Sequence, residues 1–271
     1  MDRYFIPIIG TISAGKSTFL NAFLGINMLE SGSLVTTRFV NIIKNNNEQD
    51  SFYHVVPKKE KGKISFVKDG EEIKEKEQII KKIEEINDNF SKKQGKIDEI
   101  FYILETPIKN IQNKELLDNC YFMDIPGLNE NEANYIDTIF SLITIENILF
   151  EIIIFDSTSI GGDNVLHIFQ SLEKRNALVK KNNLYILNKI DLCTKDEENI
   201  IDSFSDYFYK SFEDQKNEKN NIIINKYDNK VIPMNSFLYL HETKLKKDFF
   251  SLLFLKYIII RKKRIKKRIL N

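Results

Sequence analysis

The chain has 271 residues, 42% of them hydrophobic and 29% charged, a balance that belongs to a folded domain rather than a disordered one. Its 40 basic and 39 acidic residues nearly cancel, which argues against attraction to nucleic acid through net charge. Two cysteines exclude a disulfide scaffold and a four-cysteine zinc site; the three histidines lie far apart, no signal peptide opens the chain, and no run of about 18 apolar residues predicts an ordinary spanning helix.

Tyr4 to Ile9 is a short apolar run ending in glycine, and it predicts a buried strand. A helix is expected from Ser17 to Leu24 and a strand from Phe39 to Lys44. Ser51 to Val56 and Lys63 to Val67 predict a hairpin, with turn signals around Pro57 and Gly62. From Pro57 to Asp98 there are 12 lysines and 10 acidic residues, a stretch mixed in sign and close to neutral. Within it Ile79, Ile83, Ile86 and Phe90 recur at helical spacing, so the Lys/Glu richness reads as the solvated face of an amphipathic helix.

Further on, Ile100 to Glu105, Cys120 to Ile125, Leu149 to Phe155 and Asn183 to Leu187 predict strands. Helices are expected within Asn131 to Thr144, Asn164 to Lys174 and Glu197 to Phe212. Ile222 to Ile224 and Val231 to Met234 are short strand candidates, and a helical reading fits from Thr243 to the end. Strands alternating with helices predict an α/β fold with a mainly parallel sheet covered on both faces. No internal repeat and no Gly/Pro/Ser linker marks a domain boundary.

Three strand ends carry chemistry. Gly10-Thr11-Ile12-Ser13-Ala14-Gly15-Lys16-Ser17 fits the phosphate-loop pattern GxxxxGK[ST], placed after a strand and before a helix as the pattern requires. Its backbone amides can curl around phosphate oxygens, Lys16 can reach the β- and γ-phosphates, and the Ser17 hydroxyl can bind Mg²⁺. Met123-Asp124-Ile125-Pro126-Gly127 ends the next apolar strand in a DxxG pattern. There Asp124 would act on Mg²⁺ through a bound water and the Gly127 N–H would sense the γ-phosphate. Asn188-Lys189-Ile190-Asp191 fits NKxD. The Asp191 carboxylate can accept from guanine N1–H and the N2 amine, donors that adenine lacks there, at about 1.5–3 kcal/mol per charge-assisted bond. Lys189 would lie along the base, and Asn188 would tie this loop to the phosphate loop.

Taken in order, these motifs resemble those of a GTPase of the dynamin superfamily. Residues 10–17 resemble that family's GxxSxGKS loop, and Thr18 to Gly25 its following helix. Leu34-Val35-Thr36-Thr37-Arg38 resembles the first switch, where an ungapped count of 20 residues from Ser17 favours Thr37, with Thr36 as the alternative, as the threonine that binds Mg²⁺ and positions water. Glu105-Thr106-Pro107 and Tyr121 to Leu128 resemble the segment before and through the second switch. Val231 to Ser236 resembles the strand and loop that close over the base, bringing Asn235 and Ser236 to the nucleotide. Two departures stand out: Ile12 occupies the position where classical dynamins carry glutamine, and Leu128 follows Gly127 where Ras-type enzymes carry a water-positioning glutamine.

The resemblance implies a three-layer phosphate-loop GTPase domain over residues 1–240, with a charged hairpin-and-helix insertion at about 51–98 between the switches. It implies Mg²⁺-assisted hydrolysis of GTP, with Ser13, Lys16, Thr37 and Gly127 as catalytic residues. Nucleotide contacts are expected from Gly10, Ser13, Ala14, Gly15, Lys16, Ser17, Thr18, Asn188, Lys189, Asp191, Asn235 and Ser236, and metal contacts from Ser17, Thr37 and, through water, Asp124. It also implies stimulation by face-to-face pairing in a homodimer, in a cytoplasmic protein that associates peripherally with membranes. The alternative is a GTP-regulated binding module with little or no hydrolysis. The chain reads as the GTPase module alone or as a truncated product.

Residues 241–271 form a separate tail in sequence. Phe249 to Ile260 is apolar on nearly every helical face, and seven of the eight residues from Arg261 to Arg268 are basic. Residues 249–268 could bury as a last helix, pair with a helical partner, or lie on an anionic membrane surface. Asp156 to Asp163, after a strand, is a lower-ranked candidate for the nucleotide site or a dimer face, and reads more readily as a helix-capping loop with Asp163 as the cap. Cys120 and Cys193 read as packing residues.

Overall fold

The computed structural model describes residues 4–30, 37–60, 63–92, 100–111, 114–127, 139, 148–159, 168, 183–189, 192 and 231–234. They build a nine-stranded mixed sheet in the order β4-β3-β5-β2-β6-β1-β7-β8-β9. The strands are β1 (Tyr4–Gly10), β2 (Val40–Asn45), β3 (Ser51–Glu60), β4 (Lys63–Ile73), β5 (Phe101–Thr106), β6 (Cys120–Asp124), β7 (Ile152–Asp156), β8 (Leu184–Asn188) and β9 (Val231–Met234). Helices α1 (Lys16–Leu24), α2 (Lys76–Lys92) and α3 (Lys114–Asn119) lie between them. Five of the eight strand pairings are parallel; β2–β6, β3–β4 and β3–β5 are antiparallel. This is the phosphate-loop GTPase arrangement that the motifs predict.

The central strands are buried along almost their whole length because both sheet faces are covered. Their sequences are accordingly continuous apolar runs rather than alternating ones: β1, β6, β7 and β8 contain only two partly exposed residues between them, Tyr4 and Tyr121. Strand register and the two-residue alternation place Ile6, Ile8, Phe122, Asp124, Asn41 and Ile43 on one face. Helix α1 covers that face, with the Phe23 ring 5.7 Å from Phe122 and nearly perpendicular to it. Phe5, Tyr121 and Phe101 point to the opposite face.

The insertion is part of the sheet rather than an appendage. β3 pairs with β5 over Ser51–His54 and then runs on beyond it, paired only with β4. The hairpin strands are longer than the sequence pattern predicts, and Pro57 lies inside the ladder opposite Phe66, not in the turn. Proline is tolerated there because β5 no longer pairs with β3 at that point. A register shift between Tyr53 and Val55 bends the hairpin. Phe66 thereby comes to 5.8 Å from Phe101 and 6.0 Å from Phe5, on the sheet face opposite α1.

The amphipathic α2 forms as predicted, with Ile79, Ile83 and Ile86 buried. β7 begins at Ile152, three residues later than predicted; Leu149 precedes it and donates its N–H to the Phe5 carbonyl at 2.8 Å. Ile139 and Ile168 are helical and buried, in line with the helices expected around them. Most residues of those two helices, the side chain of Phe90, the helix at 197–212, the strand at 222–224 and the tail from 241 lie outside the described residues.

Candidate functional site

The phosphate loop leaves the C-terminal end of β1 and enters α1, a placement forced by the central position of β1 in the parallel part of the sheet. Ser13 and Gly15 both take the left-handed backbone conformation, at φ 59° and 85°. Gly15 is the N-cap of α1, and the first turn carries no acidic residue. The helix therefore presents first-turn backbone amides and the positive end of its dipole to an anion. Lys16 is buried in the loop, its ammonium donating to the carbonyls of Thr11 at 3.0 Å and Gly10 at 3.4 Å.

Three oxygen-bearing side chains meet at the start of α1. The Ser17 hydroxyl donates to Asp124 Oδ2 at 2.8 Å and lies 2.9 Å from Thr37 Oγ1. Thr37 Oγ1 in turn donates to Asp124 Oδ2 at 3.4 Å. The cluster uses Thr37, as the spacing count favours; Thr36 lies outside the described residues. Asp124 is fully buried at the end of β6, and burial pushes its carboxyl above the ordinary carboxylate range, against the pull of Lys16 and the Ser17 and Thr37 hydroxyls.

The second carboxylate oxygen, Asp124 Oδ1, is buried without a hydrogen-bond partner, and so is Asn41 Oδ1. Asn41 stands directly opposite Asp124 across the β2–β6 ladder, on the same face. Two buried acceptor oxygens at adjacent positions call for a cation or its bound water. An all-oxygen set of two hydroxyls and a carboxylate suits Mg²⁺, which prefers hard ligands and keeps several waters. Sequence reasoning missed Asn41; an amide inside an otherwise apolar strand, Val40-Asn41-Ile42-Ile43, was the available signal.

Gly127 closes over the same loop. A β-carbon there would stand 2.8 Å from Ile12 Cα and 2.9 Å from Ile12 N, so the DxxG turn and the phosphate loop touch backbone to backbone. Asn188, at the end of β8, donates to the Ala14 carbonyl at 2.9 Å, the tie expected of it. Lys189 forms an ion pair with Asp156 Oδ2 at 2.8 Å. The other Asp156 oxygen accepts from the Thr158 N–H and hydroxyl, capping the turn after β7. Asp156 therefore holds the NKxD lysine, a role the lower-ranked reading of that loop did not specify. Gly10, Ala14 and Thr18 take their expected places in the loop and α1. Asp191, Asn235 and Ser236 lie outside the described residues.

The dynamin family model matches residues 6–190, two thirds of the chain and all three motif strands as far as Asn188 and Lys189. The chain belongs to the dynamin family. Two solved structures share its fold, both from work on an oligomerised bacterial dynamin pair that provides a mechanism for long-range sensing and tethering of membranes. One superposes with a TM-score of 0.58 at 14% identity over 93% of this chain; the other with 0.55 at 20% identity over 100%. The chain covers 37% of the length of each of those proteins. No curated protein matches it in sequence.

Proposed function

We propose that this dynamin-family domain hydrolyses GTP to GDP and phosphate in the presence of Mg²⁺. The observation that carries the reading is the meeting of Ser17, Thr37 and Asp124 at the start of α1, with one carboxylate oxygen left unpaired. Ser17 and Thr37, with Asp124 through water, would hold the ion, which when bound neutralises charge on the β- and γ-phosphates.

The chain's own groups supply the rest. The amides of residues 13–17 cradle the phosphates, and Lys16 offsets charge on the γ-phosphoryl group as it transfers. The Thr37 backbone positions the attacking water, and the Gly127 N–H binds a γ-phosphate oxygen. Water adds to the γ-phosphorus, the bond to the bridging oxygen breaks, GDP leaves with that electron pair, and the water proton passes to the released phosphate. Ser13, in the phosphate loop, contributes to stabilising charge in the transition state. Guanine selectivity falls to Asp191, with Asn235 and Ser236 closing over the base. Lys189 is held by Asp156 alongside.

Stimulation through pairing of two GTPase faces, and association with membranes through residues 249–268, complete the proposal. The oligomerised, membrane-tethering bacterial dynamins of like fold support self-association and a membrane role in general, without bearing on which surface or segment carries them. One observation favours a slower, switch-like protein: Ile12 puts an apolar side chain against Gly127, at the position where classical dynamins carry glutamine.

Single-turnover GTP hydrolysis at rising protein concentration, with and without Mg²⁺, tests the proposal. Lys16→Ala and Thr37→Ala are expected to abolish turnover, chelation of Mg²⁺ to do the same, and the rate per molecule to rise with concentration. A flat rate over a wide concentration range would remove pairing from the mechanism. Tight GTP binding with no hydrolysis at any concentration would establish the switch instead. Asp191→Asn should weaken GTP binding and shift preference toward xanthine nucleotides, which carry an acceptor where guanine carries its N2 donors; equal affinity of the unaltered chain for GTP and ATP would refute the guanine assignment.

A further inference from the structure

One side chain in the inserted helix grips the backbone beside the catalytic threonine. Asn87 follows Ile86 on α2 and is four residues beyond Ile83, so it shares the buried side of the helix and is 6% exposed. Its amide makes two hydrogen bonds of opposite sense. Nδ2 donates to Glu30 Oε2 at 2.7 Å, and Oδ1 accepts from the Arg38 backbone N–H at 3.2 Å. A carboxylate needs a donor and an N–H needs an acceptor, so only one orientation of the amide satisfies both. Neither a carboxylate nor an apolar side chain at 87 can do the same.

The Arg38 N–H belongs to the peptide unit whose carbonyl is that of Thr37. The unit is planar and trans, so its N–H and C=O point in opposite directions. Holding the N–H toward Asn87 directs the Thr37 carbonyl away from α2, and the Thr37 hydroxyl is already committed to Ser17 and Asp124. The plane and position of Thr37 are thereby set from both sides: by the metal-binding oxygens and by an amide from the insertion.

We propose that Asn87 is a positioning residue for GTP hydrolysis, fixing the Thr37–Arg38 peptide so that Thr37 meets Mg²⁺ and the attacking water in register. This rests on the proposed GTPase reading. α2 then acts as a brace for the first switch rather than as a solvated decoration of the sheet edge.

The test compares the unaltered chain with Asn87→Leu, Asn87→Asp and Glu30→Ala. The readouts are affinity for a fluorescent non-hydrolysable GTP analogue and for GDP, the Mg²⁺ midpoint for analogue binding, single-turnover hydrolysis and melting temperature. Loss of the acceptor for the Arg38 N–H, together with the bond to Glu30, should lower the analogue-to-GDP affinity ratio and the hydrolysis rate of Asn87→Leu by about tenfold. The Mg²⁺ midpoint should rise and GDP affinity should hold. Asn87→Asp keeps the acceptor but sets a carboxylate against Glu30, so it should fall between. Glu30→Ala removes one of the two bonds while leaving α2 intact, and should show the same selective loss in smaller measure even if the Asn87 variants fold poorly. Lowered melting temperature with unchanged affinity ratio, Mg²⁺ midpoint and hydrolysis in the folded variants would overturn the inference. Failure of the unaltered chain to bind either nucleotide would instead overturn the GTPase reading beneath it.

Discussion

A methyl group at position 127 has nowhere to go. It would meet the backbone of Ile12, and backbone cannot swing aside as a flexible side chain can. Gly127→Ala should therefore push the DxxG turn off the phosphate loop, costing about 1–3 kcal/mol of stability, the range for overpacking in a close-fitted interior. Hydrolysis should fall further than GDP affinity, because the role proposed for Gly127 is to bind the γ-phosphate and not the base. Thermal denaturation with single-turnover kinetics checks both; an alanine variant with unchanged melting temperature and rate would show that the two loops part freely. Position 15 is constrained differently. Its φ of 85° is left-handed, and a β-carbon would crowd the Asn188 amide within 2.4 Å of Nδ2. Moving that amide breaks its bond to Ala14, so the two motifs are interlocked at the level of single atoms. The motif patterns indicate which residues are expected at phosphate and base. They do not disclose the Ile12–Gly127 contact or the Asn41–Asp124 pairing, since each joins segments far apart in sequence through strand register.

At the scale of elements, the apolar strands were legible and the insertion was only half so. β1, β6 and β8 are buried on both faces, so their sequences are unbroken apolar runs, and the motifs at their ends mark where they stop. The hairpin strands run on past their apolar segments into charged stretches, Lys58-Lys59-Glu60 and Lys68 to Glu72. The antiparallel ladder, not side-chain burial, satisfies their backbone. What fastens the hairpin to the sheet is a polar joint centred on Glu105. Its carboxylate accepts from Lys44 at 2.8 Å, Tyr53 at 3.0 Å and Asn46 at 3.0 Å, joining β2, β3 and β5. Burial alone would raise the Glu105 pKa, but Lys44, Tyr53 and Asn46 together outweigh it and hold the carboxyl below its ordinary value of 4.5. The same contact, with burial as its largest cause, raises the Tyr53 phenol. A carboxylate whose folded pKa is depressed stabilises the fold above its unfolded pKa, and that stabilisation is lost as pH falls through the folded value. Glu105→Gln should thus cost about 1–2 kcal/mol at neutral pH, moderated because Lys44 is partly exposed. The gap between variant and unaltered chain should close as pH falls through the depressed folded pKa and the carboxylate protonates. Urea denaturation at neutral pH and across the acid range measures it, and a gap independent of pH would assign the joint's strength to packing.

At the scale of the whole molecule, the tail poses the question of what the GTPase domain is attached to. Read as a helix, the sequence of residues 249–260 would be apolar around nearly the whole circumference, whereas a surface helix needs only one apolar stripe. Twelve residues at 1.5 Å each would make about 18 Å of helix, well short of a hydrocarbon core of about 30 Å. The segment therefore has more apolar surface than an exposed helix can carry and too little length to span. Seven basic residues in the next eight add an attraction of about 1 kcal/mol each for anionic headgroups, when they lie near the surface. The two halves suit an attachment element whose apolar part is buried in a helical partner or a lipid interface while its basic part faces acidic groups. Deleting residues 261–271 should leave GTP affinity unchanged, since every residue assigned to the nucleotide lies before 240. It should reduce co-sedimentation with vesicles rich in anionic lipid but not with neutral vesicles, where the full chain is expected to bind weakly. Raising the salt concentration should reproduce the deletion on the full chain, because screening removes the headgroup attraction and leaves apolar burial intact. If truncated and full chains sediment equally with anionic vesicles, the basic run plays no part in lipid binding, and the apolar segment is left to pack against protein.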